Sequence, residues 1–234
     1  MRVTQRGSRF VVVDDFLSPP ALAAARELME RSALAEVDSV IAPGGDGRAR
    51  RSNGIRFREG VVGADAGARP AVYREITRTV AENEQIFGER GTAWDSIATA
   101  FWQYPAGSRL GWHTDAGMGR RGEFVLFLHE QWKSSWGGEL LILDEDLREP
   151  EDAERGVSLE DRMEALVAGA TELPVAVLPW PNRLVLVKAG TVHTIRRVDP
   201  TAGTALRRTL TGFVSQREPA RGDRSKLAAL LGQD

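Results

Sequence analysis

The stretch that decides the fold runs from Phe101 to Asp115 and reads FWQYPAGSRLGWHTD. Its aromatic start, with the apolar residues before it, predicts a β-strand over residues 97–104, and the Pro-Ala-Gly that follows predicts a turn. His113 and Asp115 then stand at positions i and i+2, which point to the same face of an extended segment. An imidazole and a carboxylate can therefore meet one metal ion.

A second histidine, His193, lies just after an apolar strand predicted at Arg183–Lys188 and a turn that contains Gly190. A barrel brings the ends of such distant strands together. His113, Asp115 and His193 would then form the two-histidine, one-carboxylate triad typical of non-haem Fe(II) with open coordination positions. Zinc fits the same three ligands, so hydrolytic chemistry stays open at this point.

Composition excludes several classes of protein. The chain has 234 residues, no cysteine and 31 Lys+Arg against 33 Asp+Glu, for a formal net charge of −2. Disulfides and thiolate metal sites are therefore absent, and no chain-wide basic charge favours nucleic acid. No apolar run approaches the roughly 18 residues of a membrane span, and the N-terminus lacks the apolar segment of a secretion signal. We expect a cytoplasmic protein without nucleic-acid or membrane partners and of undetermined oligomeric state.

The order of the predicted elements favours an antiparallel barrel or sandwich supported by helices. A strand is predicted at Phe10–Val13, followed by a helix that Ser18 caps and Pro19 begins, and by a second helix at Ala71–Phe87. Six short strands follow, at residues 97–104, 123–128, 139–143, 183–188, 193–198 and 206–216. Helices first and then a series of strands do not fit a repeating βαβ pattern.

Two segments interrupt this order. Ala42–Arg51 is rich in Gly and Arg without apolar periodicity and is interpreted as a mobile loop. Asp144–Leu173 is acidic, and Ser158 starts a capping-box-like sequence that predicts a short helix through Val167. This insertion is either an active-site lid or a surface elaboration.

The motifs around the triad carry a family resemblance. In chain order they are FWQYPAG at 101–107, WGGEL at 136–140, PNRLVLV at 181–187 and RRTLTGF at 207–213. With His113, Asp115 and His193 between them, the chain resembles the Fe(II)- and 2-oxoglutarate-dependent oxygenases, in particular the prolyl-4-hydroxylase-like branch.

The resemblance implies a mainly β fold with flanking helices, the double-stranded β-helix or cupin-like jelly-roll. One oxygenase domain would span residues 1–234. Its parts would be an N-terminal helical support at 1–93, a jelly-roll core at 94–216 with the insertion at 144–173, and a C-terminal tail at 217–234.

The same resemblance implies the chemistry of the triad. His113, Asp115 and His193 fall on the iron-ligand positions and would be the catalytic centre. The implied cofactors are Fe(II), 2-oxoglutarate as co-substrate and O2, with ascorbate as a stimulating reductant. The usual outcome is hydroxylation of an unactivated C–H bond with release of succinate and CO2. Halogenation is disfavoured, because Asp115 fills the position that halogenating relatives leave open for halide.

For 2-oxoglutarate, the resemblance assigns Arg207 to the distal carboxylate, with Thr209 beside it and Tyr104 nearby. A later tyrosine of some relatives corresponds to Leu126 here. The separation between the second histidine and the arginine is longer than usual in the family, so Arg208 competes with Arg207 for the role.

Strand alternation favours Arg207. It puts Arg207, Thr209, Thr211 and Phe213 on one face and Leu206, Arg208, Leu210 and Val214 on the other. In a barrel backed by helices the leucine face can pack on those helices. The face that carries Arg207 then lines the interior.

Substrate contacts are predicted with less support. Trp102 and Trp112 flank the metal motif, and Arg56 and Arg58 lie on a strand that the family places at the substrate mouth, where they could meet an anionic group. The remaining histidine, His129, is interpreted as structural or exposed.

The prime substrate stays open among a free amino acid, an intermediate of a specialised metabolite and a protein residue. Desaturation, cyclisation and epimerisation would use the same iron. A non-enzymatic alternative is a degenerate cupin-like barrel that binds a ligand without turnover. Nucleic-acid demethylation has no support from the charge.

Overall fold

The computed structural model describes residues 1–57, 69–117, 119–148 and 156–216. Among the parts of the sequence singled out above, Arg58, residues 149–155 of the insertion and the tail at 217–234 lie outside these residues. No helix within the described ranges is long and apolar enough to cross a membrane.

Most of the regular secondary structure in the described ranges is β-strand. The strands are β1 Arg2–Arg6, β2 Phe10–Asp14, β3 Leu34–Val37, β4 Ala49–Ser52, β5 Ile55–Phe57, β6 Ser96–Tyr104, β7 Leu110–His113, β8 Arg120–Phe127, β9 Leu140–Ile142, β10 Val175–Val177, β11 Leu184–Lys188, β12 His193–Ile195 and β13 Arg207–Ser215. The α-helices are α1 Pro19–Glu30, α2 Arg69–Ala81, α3 Glu84–Phe87 and α4 Leu159–Ala168.

The strands form two antiparallel sheets. The larger sheet has the order β1-β2-β11-β8-β13-β6-β4-β3, with β5 also paired to β6, and the smaller has the order β10-β9-β12-β7. They pack face to face with helices behind the larger sheet. The predicted fold class, a jelly-roll with flanking helices, is confirmed.

The middle strands of the larger sheet are buried on both faces, which explains their continuous apolar sequences. On β11, Leu184 and Leu186 belong to the core between this sheet and helices α1, α2 and α3. Val185 and Val187, which alternate with them, pack toward the smaller sheet. The larger sheet is therefore packed between two apolar layers, one facing the helices and one facing the smaller sheet.

Strand β13 lies at the centre of the larger sheet, paired with β6 along its whole length and with β8 on its other side. Leu210 and Val214 point into the helix-facing core. Arg207, Thr209, Thr211 and Phe213 line the space between the sheets. The predicted assignment of residues to the two faces is therefore correct.

The N-terminal part is more than the helical support expected for residues 1–93, since it also supplies β1 to β5. The segment predicted as a loop at 42–51 ends in β4, which pairs with β3 and β6. These short strands carry charged residues such as Glu36, Arg50 and Arg51 and little apolar periodicity. Such composition is usual at sheet edges and gives a weak strand signal.

The helices follow the sequence closely. Ser18 stands at the N-cap position of α1, as predicted, but its hydroxyl makes no capping hydrogen bond. The predicted second helix divides near Asn83 into α2 and α3. In the insertion, α4 begins after Ser158, whose hydroxyl accepts a hydrogen bond from the amide of Asp161 at 3.1 Å. The predicted short helix is confirmed.

Candidate active site

The smaller sheet brings the two histidines of the predicted triad together. His113 ends β7 and His193 begins β12, and the two are paired directly across the sheet. Asp115 follows two residues after β7, with its Oδ2 3.6 Å from Nε2 of each histidine. One ligand atom from each of the three residues lies within 4.8 Å of the others.

Backbone carbonyls fix the histidine tautomers. Nδ1 of His113 lies 2.8 Å from the carbonyl oxygen of Gly111, and Nδ1 of His193 lies 2.8 Å from that of Thr191. A carbonyl only accepts hydrogen bonds, so each Nδ1 carries a hydrogen and donates it. Both Nε2 atoms, which face the shared space, are then free to bind a metal ion, as in many histidine metal sites.

Asp115 is held in the orientation that a ligand needs. Its Oδ1 accepts a hydrogen bond from Arg120 Nη1 at 2.8 Å, which leaves Oδ2 toward the histidines. Burial raises the pKa of Asp115, but the polar contacts with the imidazoles of His113 and His193 outweigh burial and keep that pKa below its ordinary value. The carboxylate is therefore ionised at neutral pH and attracts a cation. The donor set fits a divalent metal.

The same electrostatics act on His193 in the metal-free protein. Burial alone would lower its pKa, but the carboxylates of Glu123 and Asp115 raise it by a larger amount. The pKa of His193 therefore lies well above its ordinary value. A proton and a metal ion therefore compete for this side chain.

The triad lies on the wall of a cavity of about 420 Å³ between the two sheets. The predicted residues Tyr104, Trp102, Arg207 and Thr209 also line it. Residues 37–41 also line it, and Asp38 and Val40 among them are exposed. A cavity of this size is in the range of small-molecule sites.

Arg207 is a fully buried cation in this cavity, with none of its surface exposed. Its Nε donates a hydrogen bond to the Gly138 carbonyl at 2.7 Å, while Nη1 and Nη2 have no hydrogen-bond partner among the described residues. Burial lowers its pKa to about 10, which still leaves it charged at neutral pH. Two orphaned guanidinium nitrogens in a buried site fit a carboxylate of a ligand.

The WGGEL motif explains how Arg207 is positioned. Gly138 has a φ of +73°, and a Cβ at this residue would lie 3.0 Å from Cδ of Arg207. Gly137 has a φ of +65°, and a Cβ there would collide with the carbonyl oxygen of Arg197. Glycine is needed at both positions for the backbone to approach the arginine and fix its Nε.

Aromatic rings cover the guanidinium. Its central carbon lies 5.6 Å from the ring centroid of Tyr104 and 4.9 Å from that of Phe127. Leu126, which the resemblance equated with a later tyrosine, instead faces the helix-side core. The tyrosine contact of those relatives is therefore missing at Leu126, and alternation on β8 turns Phe127 toward the cavity instead.

The neighbouring Arg208 has a different environment. Its side chain is 37% exposed, and its Nη1 lies 3.8 Å from Oε1 of Glu30 on α1. It points away from the cavity, toward the helices. Of the two adjacent arginines, the structure turns Arg207 alone into the cavity.

Of the predicted substrate contacts that the structure describes, Trp102 lines the cavity, whereas Trp112 and Arg56 do not. Trp102 lines the cavity with Arg51, whose guanidinium lies 5.3 Å from the Trp102 ring centroid. Among the described residues Trp112 is not part of the lining, since it precedes His113 by one position on β7. Arg56 pairs with Ala98, at the opposite end of β6 from the cavity residue Tyr104.

Sequence reasoning missed Glu123. This residue is 4% exposed, lines the cavity and has its Oε1 2.8 Å from Nε2 of His193. The one feature of the sequence that could have indicated Glu123 is its position directly before the apolar run Phe124–Leu128.

A second missed group connects the insertion to the cavity. Arg109 lines the cavity, and its guanidinium lies 3.0 Å from Asp46 Oδ1 and 2.6 Å from Glu160 Oε1 on α4. The insertion therefore contacts the cavity rim, which is where a lid would have to be attached.

His129 is interpreted from the sequence as structural or exposed, and the structure shows that it is structural. It is 4% exposed, its Nε2 donates to the Pro179 carbonyl at 2.5 Å, and its ring packs between those of Phe127 and Trp132. Burial lowers the pKa of His129 to about 4, from an ordinary value of 6.5.

We expect His129 to make the fold acid-sensitive. Between pH 6.5 and 4 the unfolded chain binds a proton at this residue and the folded chain does not, so the free energy of unfolding falls as the pH falls. The contribution is about 3 kcal/mol between pH 7 and 4. Urea unfolding at both pH values should show a correspondingly smaller pH dependence for His129→Gln, which keeps a donor for Pro179. An unchanged dependence would contradict the assignment.

Comparisons with known proteins agree with this geometry. A sequence model described as the 2OG-Fe(II) oxygenase superfamily matches residues 99–215. No curated protein matches the chain. Among solved structures, a prolyl-4-hydroxylase of Pseudomonas putida is similar with a TM-score of 0.59 and 18% identity, over 89% of this chain and 93% of that one.

Two further structures share the fold. An oxidoreductase of the 2OG-Fe(II) oxygenase family from Burkholderia pseudomallei has a TM-score of 0.58 and 15% identity, over 94% of this chain and 96% of that one. SnoN, a non-heme alpha ketoglutarate dependent epimerase from nogalamycin biosynthesis, has a TM-score of 0.57 and 15% identity, over 90% and 77%.

Proposed function

This chain belongs to the 2OG-Fe(II) oxygenase superfamily, and on that premise we propose that it hydroxylates an unactivated C–H bond of a small molecule with Fe(II), 2-oxoglutarate and O2. The observation that carries the proposal is Arg207, a buried guanidinium with two orphaned nitrogens in the cavity that also holds the triad. The whole chain, residues 1–234, would serve this reaction as one domain.

His113, Asp115 and His193 would hold the iron. When bound, iron supplies the redox chemistry that couples O2 and 2-oxoglutarate to oxidation of a C–H bond, with succinate and CO2 as co-products. The protein supplies ligand orientation. The carbonyls of Gly111 and Thr191 keep both Nε2 atoms available, and Arg120 holds Asp115.

Arg207 would bind the distal carboxylate of 2-oxoglutarate through Nη1 and Nη2. The Gly138 carbonyl holds Nε and so orients the planar guanidinium for a bidentate contact. The hydroxyl of Thr209, 1% exposed, lies on the same face of β13 and would donate a further hydrogen bond. Tyr104 and Phe127 exclude water from the ion pair, which strengthens it.

Size and wall chemistry support a small substrate. The cavity of about 420 Å³ must hold both co-substrate and prime substrate, and much of its wall is apolar. An amino acid or an intermediate of a specialised metabolite fits these limits better than a folded protein partner. Desaturation, cyclisation and epimerisation would use the same ligands, and product analysis separates them from hydroxylation.

Purified protein is expected to release succinate from 2-oxoglutarate only when Fe(II) and O2 are both present. Without a prime substrate the turnover should be slow, and EDTA should reduce it to background because iron is removed from the triad. Succinate is measured by liquid chromatography, and mass spectrometry of a panel of amino acids would detect the gain of one oxygen atom. Tight zinc binding with hydrolysis of esters or amides would contradict the proposal.

A further inference from the structure

Glu123 is a buried carboxylate in the cavity for which the proposed reaction has no use. It lies on β8, next to the triad, and only 4% of its surface is exposed. Its Oε1 lies 2.8 Å from Nε2 of His193, and apart from this contact no described residue offers Oε1 a hydrogen-bond donor. A carboxylate in such surroundings needs a donor or a countercharge.

Metal binding removes the contact that Glu123 has. Nδ1 of His193 donates to the Thr191 carbonyl, so Nε2 is the atom available to a metal ion. A nitrogen that binds a metal carries no hydrogen and cannot donate to Glu123. In the loaded protein the carboxylate would therefore face the cavity without its partner.

The geometry does not make Glu123 a fourth ligand. The cluster whose ligand atoms all lie within 4.8 Å of one another consists of His113, Asp115 and His193, and Glu123 is outside it. Glu123 lies beside the triad and pairs with Phe213, six residues along β13 from Arg207, so it lies away from the guanidinium proposed to hold 2-oxoglutarate.

The nearby arginines have other partners. Arg120 binds Asp115, and Arg109 binds both Asp46 and Glu160. No ion pair between an arginine and Glu123 forms within the described ranges. Besides a metal ion at the triad, a cationic ligand in the cavity is the remaining source of countercharge for this carboxylate.

We propose that Glu123 binds a protonated amine of the prime substrate and so selects amine-bearing molecules. This inference rests on the proposed function, because metal at His193 is what frees the carboxylate. An ammonium group provides several donors and a full charge, and a buried carboxylate left unpaired by a neutral analogue penalises that analogue strongly. Apolar wall residues such as Val125 and Phe213 would contact the rest of the molecule.

Benzylamine and benzyl alcohol test this, since they share size and shape and differ in charge at pH 7.5. Each is titrated calorimetrically into protein loaded with Fe(II) and 2-oxoglutarate under anaerobic conditions. We expect wild type to bind benzylamine at least about 10-fold more tightly than the alcohol. Glu123→Gln, which keeps the shape, should weaken benzylamine binding by about 10- to 100-fold and change alcohol binding little.

Glu172→Gln is the matched control. Glu172 is an exposed carboxylate outside the cavity lining, so the same substitution changes the overall charge by the same amount without touching the cavity. Its preference for the amine should stay at the wild-type value. An equal loss in both variants would mean a general charge effect and would overturn the assignment.

The outcomes separate the two proposals. Equal affinity of wild type for the two probes, or an unchanged preference in Glu123→Gln, overturns the role of Glu123 even when wild type forms succinate normally. A large loss of iron affinity in Glu123→Gln would make the residue a metal ligand instead and also overturns it. Failure of wild type to bind iron and 2-oxoglutarate would overturn the proposed function itself, and this inference with it.

Discussion

His193→Ala is expected to abolish iron binding and to lower succinate formation by at least about 1,000-fold, which corresponds to about 4 kcal/mol of lost transition-state stabilisation. The reason is geometric, because His193 supplies one of three ligand atoms that lie within 4.8 Å of one another. The fold should survive, since the side chain points into the cavity and belongs to neither apolar layer of the larger sheet.

Metal content after reconstitution, succinate formation and far-UV circular dichroism together check this expectation. His129→Gln is the control, because it also removes a buried histidine but one that bonds Pro179 and not the triad. The control should keep its iron and its turnover at neutral pH. Normal activity of His193→Ala would refute the iron assignment.

The second large effect concerns 2-oxoglutarate. Arg207→Ala should raise the KM for 2-oxoglutarate by about 100-fold, since it removes a charge-assisted bidentate partner from a site with no exposure to solvent. Arg208→Ala should change this KM by less than about fivefold, because its side chain is directed at Glu30 on the helix side.

Steady-state kinetics on both variants decide between the two arginines. Arg207→Lys should fall between wild type and alanine, because lysine keeps the charge but not the planar pair of donors. If Arg208→Ala has the larger effect, the co-substrate does not bind on the inner face of β13.

Much of the fold was predictable because its central strands are apolar on both faces. Leu184–Lys188 and Phe124–Leu128 are almost continuously apolar, which is typical of strands buried on both faces. The face of β13 that carries Arg207 followed from alternation alone, once helices were expected behind the sheet. The triad was predictable because its first two members are close in sequence and the third follows a strand.

The edges of the sheet were not predictable to the same degree. Strands β1, β3 and β4 are short and charged, and of these only β4 has buried residues, so they owe their strand conformation to pairing with neighbours and not to their own sequence. Contacts that depend on exact strand phase are also hard to predict. Trp112 stands one position from His113, which faces the cavity, and in a strand one position changes the face.

Glu123 escaped prediction for another reason. A charged residue at the start of a strand is usually solvated, and nothing in its local sequence shows that β13 and β11 enclose it on both sides. Only the three-dimensional arrangement brings it to His193.

The central place of β13 has a consequence for how the protein is made. This strand follows all other described strands in the chain, yet it inserts between β6 and β8, which were synthesised about a hundred residues earlier. A ribosome-bound chain therefore holds two open strand edges until residues 207–215 emerge, and such edges pair readily with other chains. A chain that ends before Arg207 should therefore aggregate or be degraded. Loss of β1, which lies at the edge of the sheet, should be tolerated far better.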